Sequence, residues 1–117
     1  MPENAKEPGA ALKQAEELYR IHVHAHTGAT SVAAGHVHMH PGVSGVAQGR
    51  GASHYHRLWG ATTYNDGHFH TYNGQTGPAE LLGDGYHTHY FRFDTSYNEG
   101  HDHVLAGIVE PAREMAG

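Results

Sequence analysis

Twelve of the fourteen histidines in this 117-residue chain stand in six His-x-His pairs, at 22/24, 36/38, 54/56, 68/70, 87/89 and 101/103. The first histidines of successive pairs are 14, 18, 14, 19 and 14 residues apart, which divides the chain into units of about 33 residues with two pairs in each. In an extended strand the side chains at i and i+2 point to one face, with Cα atoms about 6.6 Å apart. Two imidazoles so placed can close on one metal ion, and the first unit extends both of its pairs with His26 and His40.

More than histidine repeats. Thr30-Ser31, Thr62-Thr63 and Thr95-Ser96 fall in register, and Gly35, Gly67 and Gly100 each precede the second pair of a unit. Asn65-Asp66-Gly67, Asn98-Glu99-Gly100 and Gly83-Asp84-Gly85 read as tight turns, because glycine tolerates positive φ and Asn and Asp favour turns. Thr, Tyr, Val and Phe flank them, so the flanks read as short strands. The expectation is an all-β fold of three tandem hairpin or meander repeats, at 21–52, 53–85 and 86–117, joined by glycine-rich connections such as the one from residue 73. Residues 1–20 are expected to form a short N-terminal helix or arm, since Leu12, Ala15, Leu18 and Tyr19 have helical spacing behind Pro8-Gly9.

Composition says what must hold such a chain together. Ile, Leu, Val and Phe make up 18 of 117 residues, too few to bury the area that ordering a backbone requires. Without cysteine there are no disulfides and no thiolate sites, so any stapling metal is held by nitrogen and oxygen. Imidazole suits Zn, Cu, Ni and Fe, and an all-histidine set does not choose among them. The tyrosines and Trp59 are expected to fill the β core. Scattered Lys and Arg argue against nucleic acid, and no apolar run is long enough to span a membrane. No secretory leader pattern opens the chain, so a cytoplasmic location is the default, with extracellular or surface assembly the alternative.

The stretch TTYNDGHFHTYNGQTGPAELLGDGYHTH, with the later NEGHDH, resembles the YmaF family of small histidine-repeat bacterial proteins over roughly residues 21–110. That resemblance implies metal binding. The Gly-His-x-His segments are also similar to the metal-binding tips of phage long tail fibres, which implies three His-x-His pairs around one octahedral ion.

All fourteen histidines, His22, His24, His26, His36, His38, His40, His54, His56, His68, His70, His87, His89, His101 and His103, are therefore candidate ligands. A hairpin turning at Asp66-Gly67 would leave His54/His56 some 20 Å from His68/His70, so corresponding pairs from different units are expected to meet: three pairs, six nitrogens, two ions per chain. A meander that brings both pairs of one unit together is the alternative, and tetrahedral sites of two pairs would give three ions. Asp66 and Glu99 could orient imidazoles through the second ring nitrogen. The expected function is non-catalytic transition-metal binding. Self-association is expected, as a trimer or a filament, and a fibre or filament subunit held by metal and docked termini is the alternative function. No G-x-S-x-G, P-loop or dinucleotide motif points to an enzyme.

Overall fold

A computed structural model of the chain describes residues 22–113; the expected N-terminal helix or arm lies outside the described residues. The described residues are essentially all β. Seven strands form: β1 (Ala25–His26), β2 (Gly42–Val43), β3 (Arg57–Ala61), β4 (Thr71–Gly83), β5 (Tyr86–Asp94), β6 (Val104–Ile108) and β7 (Ala112–Arg113). Strands β1 and β2 pair with each other, while β3, β4, β5 and β6 form one antiparallel sheet in chain order and β7 adds to β5. Among the described residues no helix is long and apolar enough to cross a membrane.

The turns follow from a glycine that accepts left-handed backbone at the second turn position, with Asp at the first in two of the four. Ala34-Gly35, Asp66-Gly67 and Glu99-Gly100 have φ of 51/83°, 53/83° and 56/79°, and Asp84-Gly85 has 55/81°, the two successive positive values of a two-residue hairpin turn. Each of the first three is closed by reciprocal backbone bonds, as between Asn65 and His68 at 2.9 and 3.1 Å. The segment from residue 73, expected as a connection, is instead strand: β4 runs 13 residues and pairs with β3 and then β5. A register shift between Thr76 and Ala79 absorbs Pro78, which has no N–H for the ladder.

The Thr-Ser and Thr-Thr steps lace the fold. Thr30, Thr62 and Thr95 each give their N–H to the carbonyl of His38, His70 and His103 at 2.8 Å. Each takes the N–H of that same histidine on its hydroxyl at 3.0–3.1 Å. The next residue reaches sideways: Ser31 bonds the carbonyl of Val104, Thr63 that of Met39, and Ser96 that of Thr71, at 2.8–2.9 Å. Each segment thus bonds its neighbour and the third returns to the first, closing a ring. Thr62→Val is expected to cost about 1–3 kcal/mol in denaturant unfolding, because it leaves the buried His70 N–H without its hydroxyl acceptor. A change within error would show that the hydroxyl contributes nothing.

The interior is made of histidine. Of the largest fully buried side chains, two are leucines, Leu58 and Leu105, and ten are histidines. The apolar core is a thin layer of Leu58, Tyr72, Phe91, Leu105 and Val109. Most aromatic residues do not fill it, contrary to expectation: Trp59, Tyr64, Tyr86, Tyr90 and Tyr97 are exposed. Trp59, Tyr86 and Tyr90 alternate on β3 and β5 with inward positions already taken by imidazoles or by the core layer, while Tyr64 and Tyr97 stand beside the turns.

Candidate metal centres

Twelve histidines form two groups. His22, His24, His54, His56, His87 and His89 meet in one, here the strand-side cluster, and His36, His38, His68, His70, His101 and His103 in the other, the turn-side cluster. In each, six ring nitrogens lie within 4.8 Å of one another. Like meets like, as the turn geometry requires. Each turn places its second pair at one end, and the first pair is too far along the arm to share an ion with it. All six donors of each cluster come from one chain, so no partner copy is needed to complete either set.

The protonation pattern gives these clusters their chemistry. At the strand-side cluster, His24, His56 and His89 face the carbonyls of Glu110, Gly45 and Gly77 through Nδ1 at 2.8–2.9 Å. At the turn-side cluster His38, His70 and His103 do the same with Thr63, Ser96 and Ser31 at 2.8–3.0 Å. A carbonyl only accepts, so Nδ1 carries the proton and Nε2 presents a bare lone pair. The outer rings follow suit: His54 donates to Gly51, His36 to Ala34, His68 to Asp66 and His101 to Glu99.

The Nε2 atoms then face one another. Strand-side separations are 3.1 Å for His22 to His87, 3.1 Å for His24 to His87 and 3.2 Å for His54 to His87. Turn-side separations are 3.1 Å for His36 to His38 and 3.3 Å for His38 to His68. Where both rings hold their Nδ1 proton against a carbonyl, as in His54–His89 at 3.1 Å, His36–His38 and His38–His68, lone pair faces lone pair, which is not a hydrogen bond. The buried Nε2 atoms of His56 and His103 have no hydrogen-bond partner at all. With metal–nitrogen bonds of about 2.1 Å, an octahedral ion separates adjacent donors by about 3.0 Å and opposite ones by about 4.2 Å. The observed spacings fit that set, and neighbouring rings stand nearly perpendicular, 80–86° apart for His36–His101, His54–His87 and His22–His87.

Burial reinforces the neutral form. It is the largest cause that pushes His56 and His87 down to about 3 and His89 to about 4, with neighbouring imidazoles adding to it. Burial likewise lowers His24, His70 and His103. These rings meet a cation as ready ligands, with no proton to displace.

His26 and His40 belong to neither cluster. Their Nδ1 atoms are 3.3 Å apart, and both rings lie edge-on to Tyr72 and Phe91 in the core layer. They occupy the positions, two residues past an inner cluster ligand, that Leu58 and Phe91 or Tyr72 and Leu105 take elsewhere in the chain. A third ligand in alternation is about 13 Å from the first, beyond reach of the same ion. The apolar residues at the corresponding positions were the sequence signal for this. The expected orienting role of Asp66 and Glu99 falls mainly to their backbone carbonyls, which accept from His68 and His101 at 3.1 and 2.9 Å; the Asp66 carboxylate lies instead 3.4 Å from His36 Nδ1.

Among known proteins, the family model described as YmaF, spore germination protein GerY/YamF, matches residues 19–109. No curated protein and no solved structure matches the chain.

Proposed function

The chain belongs to the YmaF family, and we propose that it is a non-catalytic transition-metal-binding protein whose two six-histidine clusters each hold one structural divalent ion. The observation that carries this reading is the convergence of six ring nitrogens in each cluster, with Nδ1 committed to a carbonyl in ten of the twelve rings. Only a cation turns that arrangement from repulsive to attractive. Six protein donors per ion leave no position for water or substrate, which a catalytic metal requires. Structural zinc is almost always four-coordinate, so a sphere of six imidazoles favours nickel, iron or copper. In the setting of spore germination that the family description names, such a frame ties folding to metal supply.

Elemental analysis with mass measurement of the protein as isolated tests this. The expected result is two ions per chain in a monomer, since one chain completes both clusters. His54→Ala combined with His56→Ala should remove one ion and leave the turn-side cluster occupied. Three ions per chain, or none, would overturn the proposal.

A further inference from the structure

The two clusters differ in how they meet solvent, and from this, resting on the metal-binding reading above, we infer that the ions have different jobs. The strand-side ion is resident, and the turn-side cluster is an exchange site through which the folded protein takes up and gives back a divalent transition-metal ion. In the strand-side cluster His24, His54, His56, His87 and His89 are at most 1% exposed and His22 is 9% exposed. His87 and His89 sit within β5, opposite Leu81 and Ala79 of β4, and His87 also faces Ala112 of β7. His54 is locked to Gly51 at 2.6 Å by the 3-10 turn before it. His87 and His89 cannot leave an ion unless the pairing of β5 opens.

The turn-side cluster is built as two half-shells. His38, His70 and His103 are buried, and their Nδ1 bonds cross between segments. His36, His68 and His101 are partly exposed, and each bonds a carbonyl only two residues back, inside its own turn, at 3.2, 3.1 and 2.9 Å. A rotation within one such turn frees one ligand while the buried three still hold the ion. Exchange can then proceed stepwise with the fold intact.

The charge around this end suits a cation. Asp66 is exposed and its carboxylate lies 3.4 Å from His36 Nδ1, and Glu99 and Asp102 flank His101 in sequence. The segments 30–40, 62–72 and 95–105 carry no Lys or Arg. Carboxylates raise the local concentration of approaching cations within a Debye length of about 8 Å at physiological salt.

The test loads the full chain with two equivalents of Ni(II) and challenges it with excess EDTA at neutral pH, following free and bound nickel with time. Release is expected in two phases of equal amplitude with rates on the order of 100-fold apart, because only the slow ion waits for local opening of paired strands. His68→Ala should abolish or accelerate the fast phase alone, and His56→Ala the slow phase alone. Asp66→Asn, which removes no ligand and leaves the fold intact, should slow nickel recapture by the turn-side site and weaken its salt dependence. Two bound ions that leave at one rate, or a fast phase that responds to His56→Ala and not to His68→Ala or Asp66→Asn, would overturn the exchange role while leaving metal binding standing. Failure to bind two ions at the outset is the separate result that sinks the metal-binding reading itself.

Discussion

Stripping both ions with a strong chelator is expected to lower the melting temperature by tens of degrees or to abolish the transition. Ten of the largest fully buried side chains are histidines, against two leucines, and the apolar layer between the clusters has five members. Such a layer cannot offset the ordering entropy of the described chain. Structural zinc contributes roughly 10–16 kcal/mol in small domains that fold around it, and about 1 kcal/mol shifts the melting of a domain this size by roughly 4–8 °C. Even a third of that binding energy per ion makes the effect large. Without an ion, each cluster also keeps buried nitrogens facing one another unbonded, at about 1–3 kcal/mol for each unsatisfied group. Circular dichroism melts before and after chelation, with metal content measured on the same samples, decide the matter. A metal-free sample that melts at the same temperature would mean that the thin apolar layer and the backbone ladders suffice.

The grouping of the histidine pairs was legible in the sequence because it rests on two robust quantities, the period of the pairs and the rise of a strand. Once Asp66-Gly67 and Glu99-Gly100 are turns, the pairs beside them cannot share an ion with the pairs some ten residues away, and the clusters follow. The register of Thr30-Ser31, Thr62-Thr63 and Thr95-Ser96 was equally visible, but its use was not: the hydroxyls hold the ring closed through partners 25 and 73 residues away, such as Thr71 N to Ser96 and Val104 N to Ser31. No local pattern announces such long-range bonds. His26 and His40 misled because alternation places them on the ligand face, which is correct, while the depth of that face assigns them to the next layer. The exposed aromatics misled for the opposite reason. In a chain short of aliphatics they look like core, yet imidazoles had already filled the interior.

Acid is expected to release the strand-side ion and unfold the chain together, with a steep transition between about pH 6 and pH 4. A free imidazole titrates near 6.5, and burial, with neighbouring rings, lowers His56 and His87 to about 3 and His89 to about 4. Because the folded values lie below the unfolded one, the unfolded chain binds more protons between them, so stability rises with pH across that interval. The contribution is fully present above about pH 6.5 and is lost progressively as pH falls toward the folded values of about 3 to 4. Each such group adds a slope of at most about 1.4 kcal/mol per pH unit, and because the three share one cluster their protons bind in coupled steps, before the competition of protons with metal for the same lone pairs is counted. The end state reinforces the direction, since protonating all fourteen histidines moves the formal charge from −5 to −5 + 14 = +9 and would crowd like charges into each cluster. Dialysis across this range, with bound metal and circular dichroism followed on the same samples, should give a loss of the last bound ion that coincides with the loss of β structure. Full metal content and an intact β spectrum at pH 4 would show that these imidazoles are not what holds the ions.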